Sequence, residues 1–117
     1  MNMIKRKAEM NVVFNENMRG GKGVVRKMEI FSPEEIYNTG RLFGKITINP
    51  GCSIGAHSHN NEFEAFYILS GKAKIMDNGK EYILEPGDAH ICEESHSHGV
   101  ECHGDEPLEM MALIINI

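Results

Sequence analysis

Two histidines and a nearby glutamate are the residues of this sequence best suited to chemistry. His57 and His59 are two positions apart, so on an extended chain both side chains leave the same face and their imidazoles can converge. Glu64 follows after a short polar connection, and a neighbouring antiparallel strand can bring its carboxylate to the same point. Two imidazoles and a carboxylate suit Fe, Mn, Ni, Cu or Zn better than calcium. The plain alternative is that His57 and His59 lie on a polar edge strand and bind nothing.

The spacing of glycines around these residues favours a metal site over a polar edge strand. The frame reads Gly51, five residues, His57-x-His59, four residues, Glu64, six residues and Gly71. It resembles the first sequence motif of the cupin superfamily at every defined position. The resemblance implies a jelly-roll β-barrel, also called a double-stranded β-helix, that holds one divalent transition metal through His57, His59 and Glu64. It also places the carboxylate ligand at Glu64 rather than at Glu62.

The fourth ligand depends on the register of the second cupin motif, for which two choices compete. One register uses the run 86–90 and makes His90 the ligand. The other starts at Gly87 and makes His98 the ligand. This second register departs from the family pattern at three positions, occupied by Glu93, Ser95 and Cys102. Turn signals before and after it favour His98, so the resemblance implies a ligand set completed by His98.

Further side chains are predicted near this group. Phe66 follows the glutamate ligand by two positions, so we expect it to share the inward face and line the pocket; plain core packing is the alternative. His96 has the same strand parity as His98 and would face the interior as a proton donor, unless it lies in a solvated loop. His90 and His103 are expected at the surface or in satisfied hydrogen bonds.

Short strand-like runs separated by turn residues must position these groups. The runs cover residues 24–31, 41–49, 62–69, 72–76 and 81–84, and an apolar run at 108–117 ends the chain. Asn78-Gly79 predicts a tight hairpin, because a type I′ turn needs positive φ at both central residues. A capping box at Ser32 to Glu35, followed by Gly40, predicts one short helix over 32–40. The pattern predicts an all-β protein with at most that helix.

Composition excludes several classes of function. The chain has 117 residues, 41% of them hydrophobic, which is enough for one globular domain. The last 37 residues contain nine Asp or Glu and no Lys or Arg, a balance unsuited to nucleic acid. No apolar stretch is long enough to cross a membrane. The basic cluster at residues 5–7 has no apolar region behind it, so we do not expect it to act as a secretory signal. Three cysteines without a CxxC pair predict reduced thiols and a cytoplasmic location.

The resemblance covers roughly residues 41–115. We therefore divide the chain into an N-terminal arm, residues 1–31, and a cupin barrel, residues 32–117. An arm of this kind adds a strand to a sheet edge, its own or a partner's, and the apolar chain end would gain from cover. These features predict a homodimer.

The metal site favours a small-molecule ligand with carboxylate or vicinal oxygen atoms, bound through the metal as Lewis acid. The resemblance implies a metal-dependent enzyme of dioxygenase, decarboxylase or isomerase type, with catalytic residues unassigned. A non-catalytic barrel that binds or senses a small ligand or the metal is the alternative, and a purely structural metal is a third. No Lys or Arg follows Lys80, so the cations that bind an anionic ligand must come from a partner subunit or from one of four residues of this chain. These are Arg41, Lys45, Lys72 and Lys74.

Overall fold

The structure of the protein, a computed structural model, describes residues 4–117 and is built from β-strands. The strands are β1 (Asn11–Glu16), β2 (Val24–Phe31), β3 (Gly40–Ile48), β4 (Ser53–Ser58), β5 (Glu62–Ser70), β6 (Lys72–Asp77), β7 (Lys80–Leu84), β8 (Ala89–Cys92), β9 (Ser97–His103) and β10 (Leu108–Asn116). Single 3₁₀ turns lie at Lys7–Glu9 and Met18–Gly20. In this part of the chain no helix is long and apolar enough to cross a membrane.

The strands form two antiparallel sheets that enclose one core. The larger sheet has the order β1-β2-β3-β10-β5-β8, and the smaller has the order β4-β9-β6-β7. One cluster of buried apolar side chains joins Ile48 and Met110 of the larger sheet to Ile75 and Val100 of the smaller. Alternating inward and outward residues produce this core, as in β10, where every second residue from Leu108 to Ile114 is buried. The predicted all-β jelly-roll fold is confirmed.

The predicted hairpin forms at Asn78-Gly79. Asn78 and Gly79 have φ of 49° and 92°, and Asp77 pairs with Lys80 across the turn. Positive φ at both positions is the conformation that Asn-Gly adopts at least cost. The hairpin places Asp77 opposite His98 on β9.

The short helix predicted over 32–40 does not form. Its capping box does: Ser32 N–H donates to the Glu35 carboxylate at 2.8 Å, and Glu35 N–H donates to Ser32 Oγ at 3.2 Å. Tyr37 and Asn38 then have φ of 60° and 56°, a left-handed conformation that ends helical geometry. With only a few residues between two strands, the segment closes as a series of turns, because one helical turn has too few hydrogen bonds to offset nucleation.

The N-terminal strands extend the larger sheet. β1 pairs with β2, and β2 pairs with β3 from Val25 opposite Ile48 onward. The division into an arm, 1–31, and a barrel, 32–117, stays a prediction, and hydrogen bonds between β2 and β3 cross that boundary. The main consequence for the site is that β2 and the 3₁₀ turn before it lie beside the buried histidines.

Candidate metal centre

A β-bulge turns the two histidines of the first motif into the interior. Along β4 and β9, Ile54 is opposite Val100 but His57 is opposite His98, so β4 contains one extra residue between these pairs. An extra residue reverses the alternation of side chains. Both Ile54 and His57 therefore face inward, and His59, two residues later, is 1% exposed.

Four donor atoms meet where the end of β4 lies beside the beginnings of β5 and β9. His57, His59, Glu64 and His98 each offer one ligand atom, and these atoms all lie within 4.8 Å of one another. The Glu64 Oε1 atom is 2.9 Å from His98 Nε2, 3.1 Å from His59 Nε2 and 3.6 Å from His57 Nε2. The His98 Nε2 atom is 3.2 Å from Nε2 of both other histidines. The structure thus brings together the residues predicted as ligands.

These distances fit a first-row transition metal. With metal–ligand bonds of about 2.0–2.2 Å, adjacent ligand atoms are separated by roughly 2.8–3.6 Å for octahedral or tetrahedral angles. The separations in the group span this range, and three imidazole nitrogens with one carboxylate oxygen are a borderline donor set that suits Mn, Fe, Ni, Zn or Cu. The residues present therefore fit such an ion, and the donor set alone does not select one metal.

The carboxylate in the group is held in its charged form. Glu64 is 4% exposed, and burial alone raises the pKa of its carboxyl. Hydrogen bonds with His57, His59 and His98 outweigh burial and hold the pKa of Glu64 well below its usual range. The hydrogen bond to Glu64 in turn raises the pKa of His59, against the opposing effect of burial. An ionised carboxylate is the form that binds a metal.

Each of the three imidazoles also makes a hydrogen bond through its outer nitrogen. Nδ1 of His57 is 2.8 Å from the Gly55 carbonyl oxygen, and Nδ1 of His59 is 2.8 Å from the Glu62 carboxylate. Nδ1 of His98 is 3.1 Å from Nε2 of His90. Such contacts orient ligand histidines and fix which nitrogen faces the metal. None of these three contacts was predicted from the sequence.

Two of these partners, Glu62 and His90, were themselves candidates for ligand positions. Glu62 competed with Glu64 for the ligand position; in the structure its carboxylate lies behind His59 and pairs with Arg41 at 2.8 Å. The hydrogen bond from Arg41 is the main reason that the pKa of Glu62 is lowered. His90 is half-buried on β8, and burial, followed by the charge of His98, lowers its pKa.

The structure separates the two residues predicted to line the pocket. Phe66 is 2% exposed, and its ring stacks on His98 with centroids 5.3 Å apart and planes 11° apart. His96 lies at the exposed surface instead of facing the interior. Its predicted parity assumed an extended chain, but Ser95 has a φ of 71° and its N–H donates to the His59 carbonyl oxygen at 2.8 Å. The chain therefore turns before β9 begins at Ser97. His103 is exposed at the far end of β9.

A small cavity of about 40 Å³ opens beside the four donors and is rich in cations. His57, His59 and Glu64 form part of its wall, and Arg19, Lys27 and Arg41 form another part. Only Arg41 was among the expected cations. Lys45, which was another, pairs with Glu109 at 3.1 Å and does not line the cavity.

Close backbone packing places Arg19 in this wall. A Cβ atom on Gly55 would lie 2.0 Å from the Arg19 carbonyl oxygen, so only glycine allows the 3₁₀ turn to contact β4. Gly71, the last glycine of the first motif, is similarly required. It has a φ of 72°, and a Cβ atom there would lie 2.2 Å from the Pro107 carbonyl oxygen.

Comparison with known proteins agrees with this architecture. Residues 44–115 match the family model described as "Cupin domain". The chain is 40% identical over 113 residues to a protein of Thermotoga maritima named "Oxalate-binding protein", an alignment that covers 97% of this chain and 93% of that protein. It is also 27% identical over 93 residues to a mannose-1-phosphate guanylyltransferase of Klebsiella pneumoniae, but covers only 20% of that longer enzyme.

Solved structures show the same fold. A crystal structure described as a predicted oxalate decarboxylase from Thermotoga maritima matches with a TM-score of 0.93 and 39% identity, over 98% of this chain and 100% of that chain. A Thermus thermophilus protein matches with a TM-score of 0.73 over 97% of this chain and 96% of its own, at 19% identity. The second similarity concerns the fold alone.

Proposed function

The chain belongs to the cupin family, and on that premise we propose that it holds one divalent transition metal and binds a small carboxylate-bearing ligand beside it. His57, His59, Glu64 and His98 are the proposed metal ligands. The observation that carries this assignment is the convergence of their four donor atoms, of which five of the six pairs lie 2.9–3.6 Å apart and all lie within 4.8 Å. A bound divalent ion would act as a Lewis acid toward the oxygen atoms of the ligand.

The cavity supports a carboxylate as that ligand. Arg19, Lys27 and Arg41 line the same cavity as three of the donor residues, and Arg41 is already paired with Glu62. Guanidinium and ammonium groups recognise carboxylates through charge-assisted hydrogen bonds. A volume of about 40 Å³ admits only a small molecule. The Thermotoga maritima relative is named for binding oxalate, which agrees with this size and charge.

Binding is better supported than turnover. Decarboxylation or isomerisation needs a group that donates or accepts a proton beside the substrate. Among the described residues that line the cavity, the carboxylate and imidazoles are those of Glu64, His57 and His59, which the proposal uses as metal ligands. Lys27 is a further group that can transfer a proton, and the proposal uses it to bind the carboxylate. We therefore propose a ligand-binding cupin as the first function and a metal-dependent enzyme, as the name of the structural relative suggests, as the second.

Replacing one proposed ligand tests the metal site. His98→Ala should abolish stoichiometric binding of Mn²⁺, Co²⁺ or Zn²⁺ in titration calorimetry. Only His57, His59 and Glu64 remain as donors, and Glu64 loses its hydrogen bond with His98. His103→Ala on the same strand is the matched control and should bind as the unaltered protein does. Full metal binding by His98→Ala would contradict the assignment.

Replacing the cavity cations tests the ligand. Calorimetry with oxalate should detect binding to the metal-loaded protein, and Arg19→Gln or Lys27→Gln should weaken it by about tenfold or more, the usual effect of losing a charge-assisted hydrogen bond. Lys72→Gln is a suitable control, because the Lys72 side chain is 53% exposed and pairs with Glu85 outside the cavity. Steady consumption of oxalate by the metal-loaded protein would instead favour the enzyme.

We also propose a homodimer. β1 lies at the edge of the larger sheet, and Val12, Val13 and Phe14 on this strand are 36%, 38% and 65% exposed. An apolar edge strand is a template for pairing with another chain, and a second copy would cover it. Light scattering at several concentrations should give the dimer mass, and Phe14→Glu should shift it toward the monomer. A monomer at every concentration would exclude the dimer.

A further inference from the structure

The outer hydrogen bond of His98 differs in kind from those of the other two histidines. His57 faces a backbone carbonyl and His59 faces a carboxylate, and both groups can only accept a hydrogen bond. His98 faces Nε2 of His90, which can accept or donate according to its own tautomer. The orientation of His98 therefore depends on a second titratable ring.

The geometry allows one arrangement that is compatible with metal binding. If Nε2 of His98 faces the other three donors with a free lone pair, the ring proton of His98 is on Nδ1. This N–H group then donates a hydrogen bond away from the donor group. The partner at 3.1 Å is Nε2 of His90, so that atom must carry no proton and the proton of His90 must lie on Nδ1. With this tautomer pair, both nitrogens of His98 have a defined role.

Packing holds the two rings in place. Phe66 and His90 are opposite each other on β5 and β8, so both side chains reach the same face of the larger sheet. Phe66 stacks on one side of His98, and the His90 ring lies 5.3 Å from the His98 ring at an angle of 34°. A cavity of about 200 Å³ lies beyond His90, so the His90 ring separates His98 from this second opening.

We propose that His90 is a positioning residue for His98: its Nε2 atom accepts the hydrogen bond that Nδ1–H of His98 donates, and so keeps the Nε2 lone pair of His98 directed at the metal. This proposal rests on the proposed metal site and adds a residue that neither motif assigns as a ligand in the chosen register. His90 acts only through His98, because its Nε2 atom contacts Nδ1 and not the four donor atoms.

Two substitutions separate hydrogen bonding from packing. His90→Phe keeps an aromatic ring against Phe66 and His98 but removes the acceptor. His90→Gln loses the ring but places an amide oxygen near the position of Nε2. We expect His90→Phe to weaken Zn²⁺ binding by about 10–100-fold, the usual effect of removing an outer partner of a ligand histidine, and His90→Gln to restore most of it. Chelator competition measures both.

The matched control is His96→Phe, which alters an exposed histidine two residues before His98 and should leave Zn²⁺ affinity unchanged. Unaltered affinity in His90→Phe, or equal weakening in His90→Phe and His90→Gln, would overturn the proposal. The unaltered protein is tested first. If it binds no metal, the proposed function fails; if it binds metal and only the His90 comparison fails, the positioning role alone is wrong.

A spectroscopic measurement on the unaltered protein tests the hydrogen bond without requiring that any variant folds. In the Zn²⁺-loaded protein labelled with ¹⁵N, the hydrogen bond should give a resolved coupling between Nδ1 of His98 and Nε2 of His90. The proton on His98 Nδ1 should also resonate downfield. In His90→Phe this proton should move upfield, and in His90→Gln it should return. Absence of the coupling, with the proton found on Nε2 of His90, would overturn the assignment.

Discussion

The two sides of the donor group hold their histidines by different means. On the His59 side, Glu62 accepts from Nδ1 and is itself paired with Arg41, whose side chain is 49% exposed. On the His98 side, the supporting groups are two rings, His90 and the fully buried Phe66. The first is a charged support near solvent, and the second is an uncharged support that joins a half-buried ring to a buried one.

This difference follows from how each partner reaches its histidine. Glu62 is three residues after His59, so the short β4–β5 connection returns it to the same point. His90 is eight residues before His98. It reaches His98 only because β8 pairs with β5 in the larger sheet, so that His90 faces His98 of the smaller sheet across the interior. The strength of a local charged partner depends on ionic strength, whereas the position of a partner brought in by strand pairing depends on the packing of the whole sheet.

The largest effect should come from removing the ring that packs on His98. Phe66→Ala removes a fully buried side chain and should lower the free energy of unfolding by about 3–5 kcal/mol. Urea denaturation of the metal-free protein measures this loss without a contribution from metal binding. Phe63→Ala on the outer face of β5 is the control and should lose clearly less, because Phe63 is only half-buried. Equal losses in the two variants would show that the contact of Phe66 with His98 contributes no more to stability than an outer-face ring does.

The resemblance of the Gly51-to-Gly71 spacing to the cupin motif pointed to His57, His59 and Glu64, and the donor atoms of these residues lie together in the structure. Their role as metal ligands stays a prediction. The turn-forming Asn78-Gly79 pair was decisive for its hairpin. The choice of His98 over His90 depended on turns that the sequence also contains, and the structure places His98 with the other three donors.

The surroundings of the site could not be predicted because they are set by non-local contacts. His96 was assigned by parity, which fails where Ser95 adopts a left-handed conformation. Arg19 and Lys27 precede the recognised motif, and they reach the cavity through the contact with Gly55 and through the pairing of β2 with β3. The helix predicted over 32–40 failed for the opposite reason, since a correct local capping signal lacked the length to continue.

An intermediate effect should come from removing the charged partner of His59. Glu62→Ala leaves Nδ1 of His59 without its acceptor and should weaken metal binding by about 10–100-fold. Chelator competition with Zn²⁺ measures the change. Glu94→Ala is the control, because Glu94 accepts from the Asn61 N–H in the same β4–β5 connection but contacts no imidazole in the group. Similar weakening by both variants would assign the effect to the connection and not to His59.

The smallest effect should come from Arg41, which supports His59 only through Glu62. Arg41→Gln removes a partly exposed ion pair, and such pairs contribute at most about 1 kcal/mol, so Zn²⁺ affinity should fall by less than about fivefold. Lys45→Gln, on the same strand but paired with Glu109, should have no effect. In about 1 M salt, where the screening length is about 3 Å, the effect of Arg41→Gln should disappear while that of His90→Phe persists. Equal salt dependence in the two variants would contradict the division into a charged and an uncharged support, because screening weakens ion pairs near solvent far more than a hydrogen bond between two uncharged rings.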